Sequence, residues 1–309
     1  MLAMTPALPA PKSRDTVWIA LALVSLYFIW GSTYLGIHQA VQAGGFASFQ
    51  LNALRFIFSG VLLLGILLAR GAKLPNAIQT RNAALIGLFL VIGGNGLTTL
   101  ALKWGAPSGL TATIVATTSL WAGLWSTLWG NRPRRLEWLG MAIGVVGVAI
   151  LTLDGNFARN PAILIQFAAP MLWALGSILS RHLEMPSGLM ASAVEMIAGG
   201  LAALPISLAL GETWAMPNTN AWLAWLYLVF AGSMIGYNAY IYLLGKVRPA
   251  VATSYAYVNP LVALLLGAWL IGEKIETRTL FALPVIFIGM GCIAWAQNAK
   301  TPIVKTEEI

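Results

Sequence analysis

Long apolar stretches, separated by short polar breaks, run along the chain from residue 17 to residue 297. An α-helix needs about 20 mostly apolar residues to cross the hydrocarbon core of a bilayer, and these stretches are close to that length. Dividing the sequence at its polar, proline-rich and glycine-rich breaks gives ten of them. They cover residues 17–38, 46–69, 82–102, 107–129, 135–153, 161–180, 188–210, 220–243, 249–270 and 279–297. The pattern predicts an all-α membrane protein with ten transmembrane helices.

The two halves of the chain resemble each other in order. The motif Arg-x-Ile-x-x-Gly at residues 55–60 matches Glu-x-Ile-x-x-Gly at 195–200. Trp30 matches Trp173, which lies at a similar distance further along the sequence. Several matches in register indicate an internal repeat. Each half holds five predicted helices, an odd number, so the second half enters the membrane from the opposite side. Two inverted five-helix repeats are typical of secondary transporters, whose halves rock around a central site.

The predicted division of the chain follows from these helices. Residues 17–153 form the first repeat and residues 161–297 the second, with residues 1–16 and 298–309 as cytoplasmic tails. When the N-terminus is placed inside, 13 lysines and arginines fall on the inner side and 4 on the outer side. Because positively charged loops stay in the cytoplasm, both termini are predicted to be cytoplasmic.

Composition favours a membrane location. Of the residues 59% are hydrophobic and 9% are charged, whereas soluble domains carry about 25% charged residues. The net charge of +8 comes from the inner loops, so we expect the lipid bilayer and a small-molecule solute as partners, and no nucleic acid. The sequence has no Walker A motif, no HExxH motif and a single cysteine, Cys292. We therefore expect no cofactor, no metal and no direct use of ATP.

Four short motifs resemble those of a known family. They are Trp30-Gly31-Ser32, Arg55-Phe56, Asn259-Pro260-Leu261 and Leu270-Ile271-Gly272-Glu273. With them the chain resembles, over nearly its whole length, the EamA family of the drug/metabolite transporter superfamily. The resemblance implies ten helices with both termini inside and a central cavity lined by helices 1–4 and 6–9. It also implies export of amino acids or related small metabolites or drugs across a bacterial inner membrane.

Two charged residues lie deep within predicted helices, at matching positions of the repeat. Arg55 is in the second span and Glu195 is in the seventh. Charges at such depth are rare because their desolvation is unfavourable, so each one indicates a functional site. Arg55 could bind a substrate carboxylate through its fork of donors, and Glu195 is a candidate for proton coupling. The alternative is a structural role, in which Arg55 pairs with Glu195 or with carbonyls at helix ends.

A set of aromatic and polar residues is predicted to line the cavity together with Arg55. It comprises Trp30, Tyr34, Asn95, Thr99, Trp173, Ser177, Tyr237, Tyr240, Tyr255 and Asn259. Residues three or four apart share one face of a helix, as Asn95 and Thr99 do. As a set they would enclose an amphipathic solute, and the alternative for each residue is a contact between helices.

The sequence thus predicts a secondary active transporter that exports amino acids or related small metabolites by alternating access, with proton coupling as one option. The alternative is an exchanger of phosphorylated solutes or nucleotide sugars, which would favour two or more deep basic residues. An intramembrane enzyme is the alternative of another class, but the sequence has no Gly-x-Ser-Gly segment. We therefore expect no enzymatic activity. The Gly140-x-x-x-Gly144 motif permits close helix packing and leaves a homodimer open.

Overall fold

The structure is a computed structural model that describes residues 13–42, 44–130, 134–152, 160–247, 255–275 and 277–298. These residues form helices and no strand, which confirms the predicted all-α class. Residues 1–12 and 299–309, which make up most of the two predicted tails, lie outside the described residues.

Helices lie in each of the predicted spans, and we number them α1 to α10 in chain order. Residues 153 and 249–254, at the edges of two predicted spans, lie outside the described residues. They are α1 (Ser13–Ser25, Leu26–Trp30 and Gly31–Val41), α2 (Ser48–Ala69), α3 (Ala77–Gly87, Leu88–Gly96 and Leu97–Lys103), α4 (Ser108–Val115, Thr118–Ser126 and Thr127–Trp129), α5 (Arg135–Thr152), α6 (Pro161–Leu179), α7 (Leu189–Ala209), α8 (Thr219–Tyr227, Leu228–Tyr237 and Asn238–Lys246), α9 (Tyr255–Ile271) and α10 (Thr277–Asn298). The middle pieces of α1, α3 and α8 are π-helical. Among the described helices, six are long and apolar enough to cross a membrane, namely α1, α2, α3, α6, α7 and α8. Ten membrane crossings therefore stay a prediction.

The start of α3 differs from the prediction because a polar segment caps it. The Asn76 side chain accepts a hydrogen bond from the Gln79 backbone at 2.8 Å, and the Gln79 side chain accepts one from the Asn76 backbone at 3.2 Å. This reciprocal pair satisfies N–H groups that have no partner within the helix. The helix consequently begins at Ala77, five residues before the predicted start at residue 82.

Carboxylates of the second half cap helices of the first half. Glu212, which follows α7, accepts hydrogen bonds from the backbone N–H groups of Phe49 and Gln50 at 3.0 and 3.1 Å, at the start of α2. Glu273, which follows α9, accepts one from the Ser108 N–H at 3.0 Å, at the start of α4. The positive end of the helix dipole favours a carboxylate at both places. These contacts join the two halves at one end of the bundle.

The directions of the helices follow from contacts at the two ends. Lys103, at the end of α3, donates from Nζ to the carbonyl of Val41, at the end of α1. Asn82, near the start of α3, donates from Nδ2 to the carbonyl of Glu184, just beyond α6, at 3.0 Å. The end of α1 and the end of α6 therefore lie at opposite ends of the bundle, which we call the Lys103 end and the Glu184 end. The first helices of the two halves run in opposite directions.

The segments 55–60 and 195–200 meet each other where α2 packs against α7. A Cβ atom added to Gly60 would lie 2.7 Å from Cγ1 of Ile197, and one added to Gly200 would lie 2.8 Å from Cγ1 of Ile57. Such distances are well below van der Waals contact, so only glycine allows this approach. The contact is reciprocal, as expected when two equivalent helices cross near an axis that relates the repeats.

Small residues also join α5 to α10. A Cβ atom on Gly147 would lie 2.6 Å from Cγ1 of Ile286, and one on Gly289 would lie 2.6 Å from the carbonyl oxygen of Gly140. Gly144 faces the side chain of Leu120 in α4 as well as α10. The glycines of the Gly140-x-x-x-Gly144 motif are thus in contact within this chain, and a homodimer stays a prediction.

Candidate functional site

A cavity with about 600 Å³ of empty space lies between the two halves. Its described lining residues come from α1, α2, α3, α4, α6, α8 and α9. They are Trp30, Thr33, Tyr34, Ile37, Arg55, Gly94, Asn95, Thr98, Val115, Thr118, Ala169, Pro170, Trp173, Gly232, Tyr237 and Tyr255. The walls are mostly aromatic and aliphatic with a few polar groups, which is the usual character of a small-molecule site. Helix α7, which the resemblance places in the wall, contributes none of these residues.

Seven of the residues predicted from sequence line this cavity. They are Trp30, Tyr34, Arg55, Asn95, Trp173, Tyr237 and Tyr255. The other five, Thr99, Ser177, Glu195, Tyr240 and Asn259, lie behind the wall. A solute in this cavity would touch the seven lining residues directly and not these five. The predicted roles of all twelve residues stay predictions.

Arg55 supplies the one charged side chain among the described lining residues. It is 4% exposed, and its Nε donates a hydrogen bond of 2.9 Å to the hydroxyl of Ser233 in α8. Its Cζ lies 4.6 Å from the centre of the Phe56 ring. For the two Nη atoms the described part of the chain offers no hydrogen-bond partner. The guanidinium is therefore held by one edge and presents its other donors to the cavity.

Glu195 lies behind the cavity wall and is 1% exposed. Its Oε2 accepts a hydrogen bond of 2.6 Å from the hydroxyl of Tyr237, whose side chain lines the cavity. Within the described residues Glu195 forms no ion pair with Arg55. The structural pair considered as an alternative is therefore absent, and each of the two charges has its own partner on α8.

An aromatic layer closes one side of the cavity. The Trp30 ring centroid lies 5.6 Å from that of Trp173, 5.2 Å from that of Tyr240 and 5.0 Å from that of Tyr255. The Trp30 Nε1 donates to the carbonyl of Gly232 at 3.1 Å. The rings of Trp173 and Tyr255 meet Trp30 edge to face and that of Tyr240 is tilted, and aromatic pairs of this kind stabilise one another beyond the burial of their area. The layer gives a solute a rigid apolar surface.

The predicted residues behind the wall hold the helices that carry the lining. The Thr99 hydroxyl donates to the carbonyl of Asn95 at 2.8 Å, and the hydroxyls of Ser177 and Tyr240 lie 2.9 Å apart. The Asn259 amide, oriented with its nitrogen toward the neighbouring carbonyls, donates to Tyr255 O at 3.1 Å and to Tyr27 O at 3.2 Å. Ser177, Tyr240 and Asn259 thus make contacts between helices, whereas the hydroxyl of Thr99 bonds within its own helix.

Three glycines in the π-helical segments leave the space that cavity side chains occupy. A Cβ atom on Gly94 would lie 2.4 Å from Cε3 of Trp173, and one on Gly236 would lie 2.4 Å from Nε1 of Trp30. A Cβ atom on Gly232 would lie 2.8 Å from Nη2 of Arg55. π-Helical turns often occur at functional sites. Here the π-helical segments of α1, α3 and α8 all lie beside the cavity.

Nine of the described lining residues were not predicted from the sequence. They are Thr33, Ile37, Gly94, Thr98, Val115, Thr118, Ala169, Pro170 and Gly232. Val115 and Thr118 flank the point where α4 is interrupted, between its first two pieces. The threonine-rich stretch 111–118 is the signal that could have indicated this break. The described residues contain no group of three or more His, Cys, Asp or Glu side chains that could hold a metal.

A cavity lined from both halves, with its charged residue Arg55 on a membrane-length helix, is the geometry expected of a transporter. The profile of the EamA-like transporter family matches residues 17–153 and again residues 160–295. The chain belongs to the EamA-like transporter family. Its two matches confirm the repeat of about 140 residues read from the sequence.

Sequence relatives agree with this assignment. The chain is 45% identical over 268 residues to the "Uncharacterized inner membrane transporter YedA" of Escherichia coli strain K12, covering 86% of this chain and 87% of the relative. This identity agrees with the resemblance to the EamA family that the four sequence motifs show. A "Probable amino-acid metabolite efflux pump" of Salmonella typhimurium is 24% identical, with 90% and 94% of the two chains covered. A "Probable terminal-alkyne amino-acid exporter" of Streptantibioticus cattleyicolor is 24% identical, with 85% and 87% covered.

A solved protein crystal structure shares the fold. It superimposes with a TM-score of 0.63 and 20% sequence identity, and it covers 91% of this chain and 96% of the other. The relatives above are named as an inner membrane transporter, an efflux pump and an exporter. This chain is an EamA-type membrane transporter, and its solute is a separate question.

Proposed function

We propose that this transporter exports amino acids or related small carboxylate-bearing metabolites across the inner membrane. The observation that carries the proposal is Arg55, whose guanidinium faces the cavity with its Nη donors unused among the described residues. A guanidinium matches a carboxylate with two parallel hydrogen bonds. The names of the two 24% identical relatives, an amino-acid metabolite efflux pump and an amino-acid exporter, support the same solute class.

The cavity also argues against the alternative solutes. A phosphate carries about two negative charges at neutral pH and is usually held by several basic groups. Among the described lining residues Arg55 is the sole basic side chain, and no acidic side chain is present to hold a cationic drug. The aromatic layer suits an apolar side chain of the solute. A zwitterionic or singly anionic carboxylate is therefore favoured over a nucleotide sugar.

Alternating access is the mechanism we propose, with ten crossings arranged as two inverted repeats and both termini in the cytoplasm. The opposite directions of α1 and α6 support the inversion, since equivalent helices of inverted repeats enter the membrane from opposite sides. With the Lys/Arg bias, the Lys103 end faces outward and the Glu184 end faces the cytoplasm. The cavity then lies between the repeats, where rocking of one half against the other would open it to either side.

Glu195 is the residue we propose for coupling export to the proton gradient. It is a buried carboxyl group without an ion-pair partner in the described residues, and its hydrogen bond to Tyr237 connects it to the cavity wall. A carboxyl group in this position can exist with or without a proton, and each form makes a different hydrogen bond with Tyr237. Proton uptake and solute binding can then alternate at neighbouring positions.

Uptake into proteoliposomes tests this proposal. Labelled amino acids, matched amines and a sugar phosphate would be offered to the reconstituted protein with and without an imposed pH gradient. We expect amino acids to be transported, the gradient to drive their accumulation, and Glu195→Gln to retain exchange while losing the response to the gradient. Transport of the sugar phosphate instead of the amino acids would contradict the proposed solute class. An undiminished gradient response in Glu195→Gln would contradict the coupling role.

A further inference from the structure

Arg55 and Glu195, the two deep charged residues, both form hydrogen bonds with the same short stretch of α8. Arg55 of α2 bonds to Ser233, and Glu195 of α7 bonds to Tyr237. Ser233 and Tyr237 are four residues apart, within the π-helical segment Leu228–Tyr237, and both are buried. One turn of one helix thus touches the candidate solute-binding group and the candidate proton-binding group.

This arrangement departs from the symmetry of the repeat. Arg55 of the first half bonds to α8 of the second half, so symmetry would direct Glu195 to α3 of the first half. Gly94 and Gly236 occupy equivalent places in the two halves, each against the tryptophan of the other half, and they are 142 residues apart. The same spacing makes Val91 of α3 the equivalent of Ser233 of α8. The side chain of Val91 has no group that could bond to a carboxylate. At this level α3 approaches α7 through Gly87, whose added Cβ would lie 2.3 Å from the carbonyl oxygen of Glu195. The carboxyl group therefore turns to Tyr237.

The surroundings of Glu195 leave Tyr237 as its direct contact with the cavity. On α8 the titratable groups near it are Tyr237 and, one turn further, Tyr240, whose hydroxyl is engaged by Ser177. On α2 the charged group is Arg55, which is held by Ser233. A change in protonation at Glu195 therefore acts directly on its hydrogen bond with the Tyr237 hydroxyl.

We propose that the Ser233–Tyr237 turn of α8 couples proton binding at Glu195 to solute binding at Arg55, with both α8 residues acting as positioning residues. This inference rests on the proposed proton-coupled function. An ionised Glu195 accepts a strong, charge-assisted bond from Tyr237 and holds the ring in the wall. When a proton is added to the carboxylate, that bond becomes a weaker neutral one, Tyr237 stays neutral, and the ring is freed to move. Because Ser233 lies on the same turn, the movement changes how the Arg55 guanidinium is aimed.

Coupling of this kind is measured as the change in solute affinity between two pH values. A coupling free energy usually changes affinity by about 5- to 150-fold. The wild type should show a shift within that range, measured as the Kd of the transported amino acid for purified protein at pH 5.5 and pH 8. We expect Tyr237→Phe to reduce the shift to less than about twofold, whatever its effect on the affinity itself, because the readout is the ratio of the two Kd values. We expect Tyr242→Phe, a control on the same helix, to keep the whole shift.

Two further variants test the hydrogen bonds themselves, that of Glu195 with Tyr237 and that of Arg55 with Ser233. Glu195→Asp keeps a titratable group but withdraws it from Tyr237 by one methylene, so it should lose the shift as Tyr237→Phe does. Ser233→Ala should weaken solute binding and also reduce the shift. If these residues had a structural role alone, the variants would lose exchange and affinity at both pH values, and the ratio of the Kd at pH 5.5 to the Kd at pH 8 would stay that of the wild type.

The outcomes distinguish the inference from the function on which it rests. If the wild type and Tyr242→Phe show the shift, Glu195→Gln loses it, and Tyr237→Phe and Glu195→Asp keep it in full, proton coupling stands and the role of the α8 turn is overturned. If the wild type transports amino acids with no shift and no response to a pH gradient, proton coupling itself fails and the inference fails with it. Loss of the shift in Tyr237→Phe and Glu195→Asp, with amino-acid binding still measurable at both pH values and the shift kept in Tyr242→Phe, supports the inference.

Discussion

Gly232 leaves the space in which the guanidinium of Arg55 lies. A Cβ atom at position 232 would be 2.8 Å from Nη2 of Arg55 and 3.1 Å from Cγ2 of Thr33. The carbonyl of the same glycine accepts the indole hydrogen bond of Trp30. A residue with no side chain thus determines the position of the cavity's one described charge and of an aromatic wall residue.

The substitution Gly232→Ala should weaken solute binding without unfolding the protein. The added methyl group meets the far end of a flexible side chain, so Arg55 can move aside into a less favourable rotamer. Such a displacement is unfavourable by about 0.5–1.5 kcal/mol, which corresponds to a loss of affinity of up to about tenfold. Equilibrium binding of the transported amino acid measures it. Gly65→Ala, at a position with nothing within 4 Å of the added atom, is the control and should bind as wild type does.

Packing between α2 and α7 should be sensitive to a single methyl group. At Gly60 an added Cβ would lie 2.9 Å from the backbone of both Ala193 and Ile197, atoms that cannot move aside alone. We expect Gly60→Ala to lower the free energy of unfolding by about 1–3 kcal/mol through overpacking. On the same helix, Gly65→Ala should raise it by up to about 1 kcal/mol because alanine favours helix. Unfolding in detergent compares the two, and equal stability of the variants would contradict the packing shown here.

The hydrogen bond from Trp30 to the Gly232 carbonyl should contribute to stability. In Trp30→Phe the aromatic ring remains but the donor is lost, and the buried carbonyl is left without its partner. The expected loss is about 1–3 kcal/mol in the free energy of unfolding. Trp18, which is 56% exposed, provides the matched control, and Trp18→Phe should change stability by less than about 0.5 kcal/mol. A similar loss in both variants would show that the indole bond does not contribute.

Orientation in the membrane can be tested with single cysteines. Lys73 and Met216, the latter 84% exposed, lie in loops that the Lys/Arg bias assigns to the inner and the outer side respectively. In a Cys292→Ser background, a membrane-impermeant maleimide added to intact cells should label Met216→Cys and leave Lys73→Cys unlabelled until the cells are opened. The reverse pattern would contradict the placement of both termini in the cytoplasm.

The sequence was sufficient to find the charged residues but not their partners. Arg55 and Glu195 were recognisable because a charge in an apolar run is conspicuous, and their equivalence followed from the repeat. Ser233 and Tyr237 could not be assigned to them, since these contacts join residues 178 and 42 positions apart and depend on how the helices pack. The break in the symmetry at Glu195 likewise becomes visible only when α8 is placed beside α7.

Local deviations from regular helix were also hidden in the sequence. The π-helical pieces of α1, α3 and α8 lie inside uniformly apolar runs, where hydropathy does not distinguish a π turn from an α turn. Residues 107–129 were predicted as one helix, but the structure interrupts α4 between Val115 and Thr118. Most of the missed lining residues lie at or beside these irregular places, because that is where backbone and small side chains border the cavity.

Binding of the solute carboxylate by Arg55 can be measured as a preference for an acid over its amide. The Kd of the transported amino acid would be measured beside that of its amide, in which an uncharged carboxamide replaces the carboxylate, for the wild type and for Arg55→Ala. An exposed basic residue, changed in Lys73→Ala, serves as the control. We predict that the wild type and Lys73→Ala prefer the acid by about tenfold or more, as a charge-assisted bidentate pair implies, and that Arg55→Ala binds both compounds weakly and equally. An Arg55→Ala variant that still prefers the acid as strongly as wild type would contradict the account.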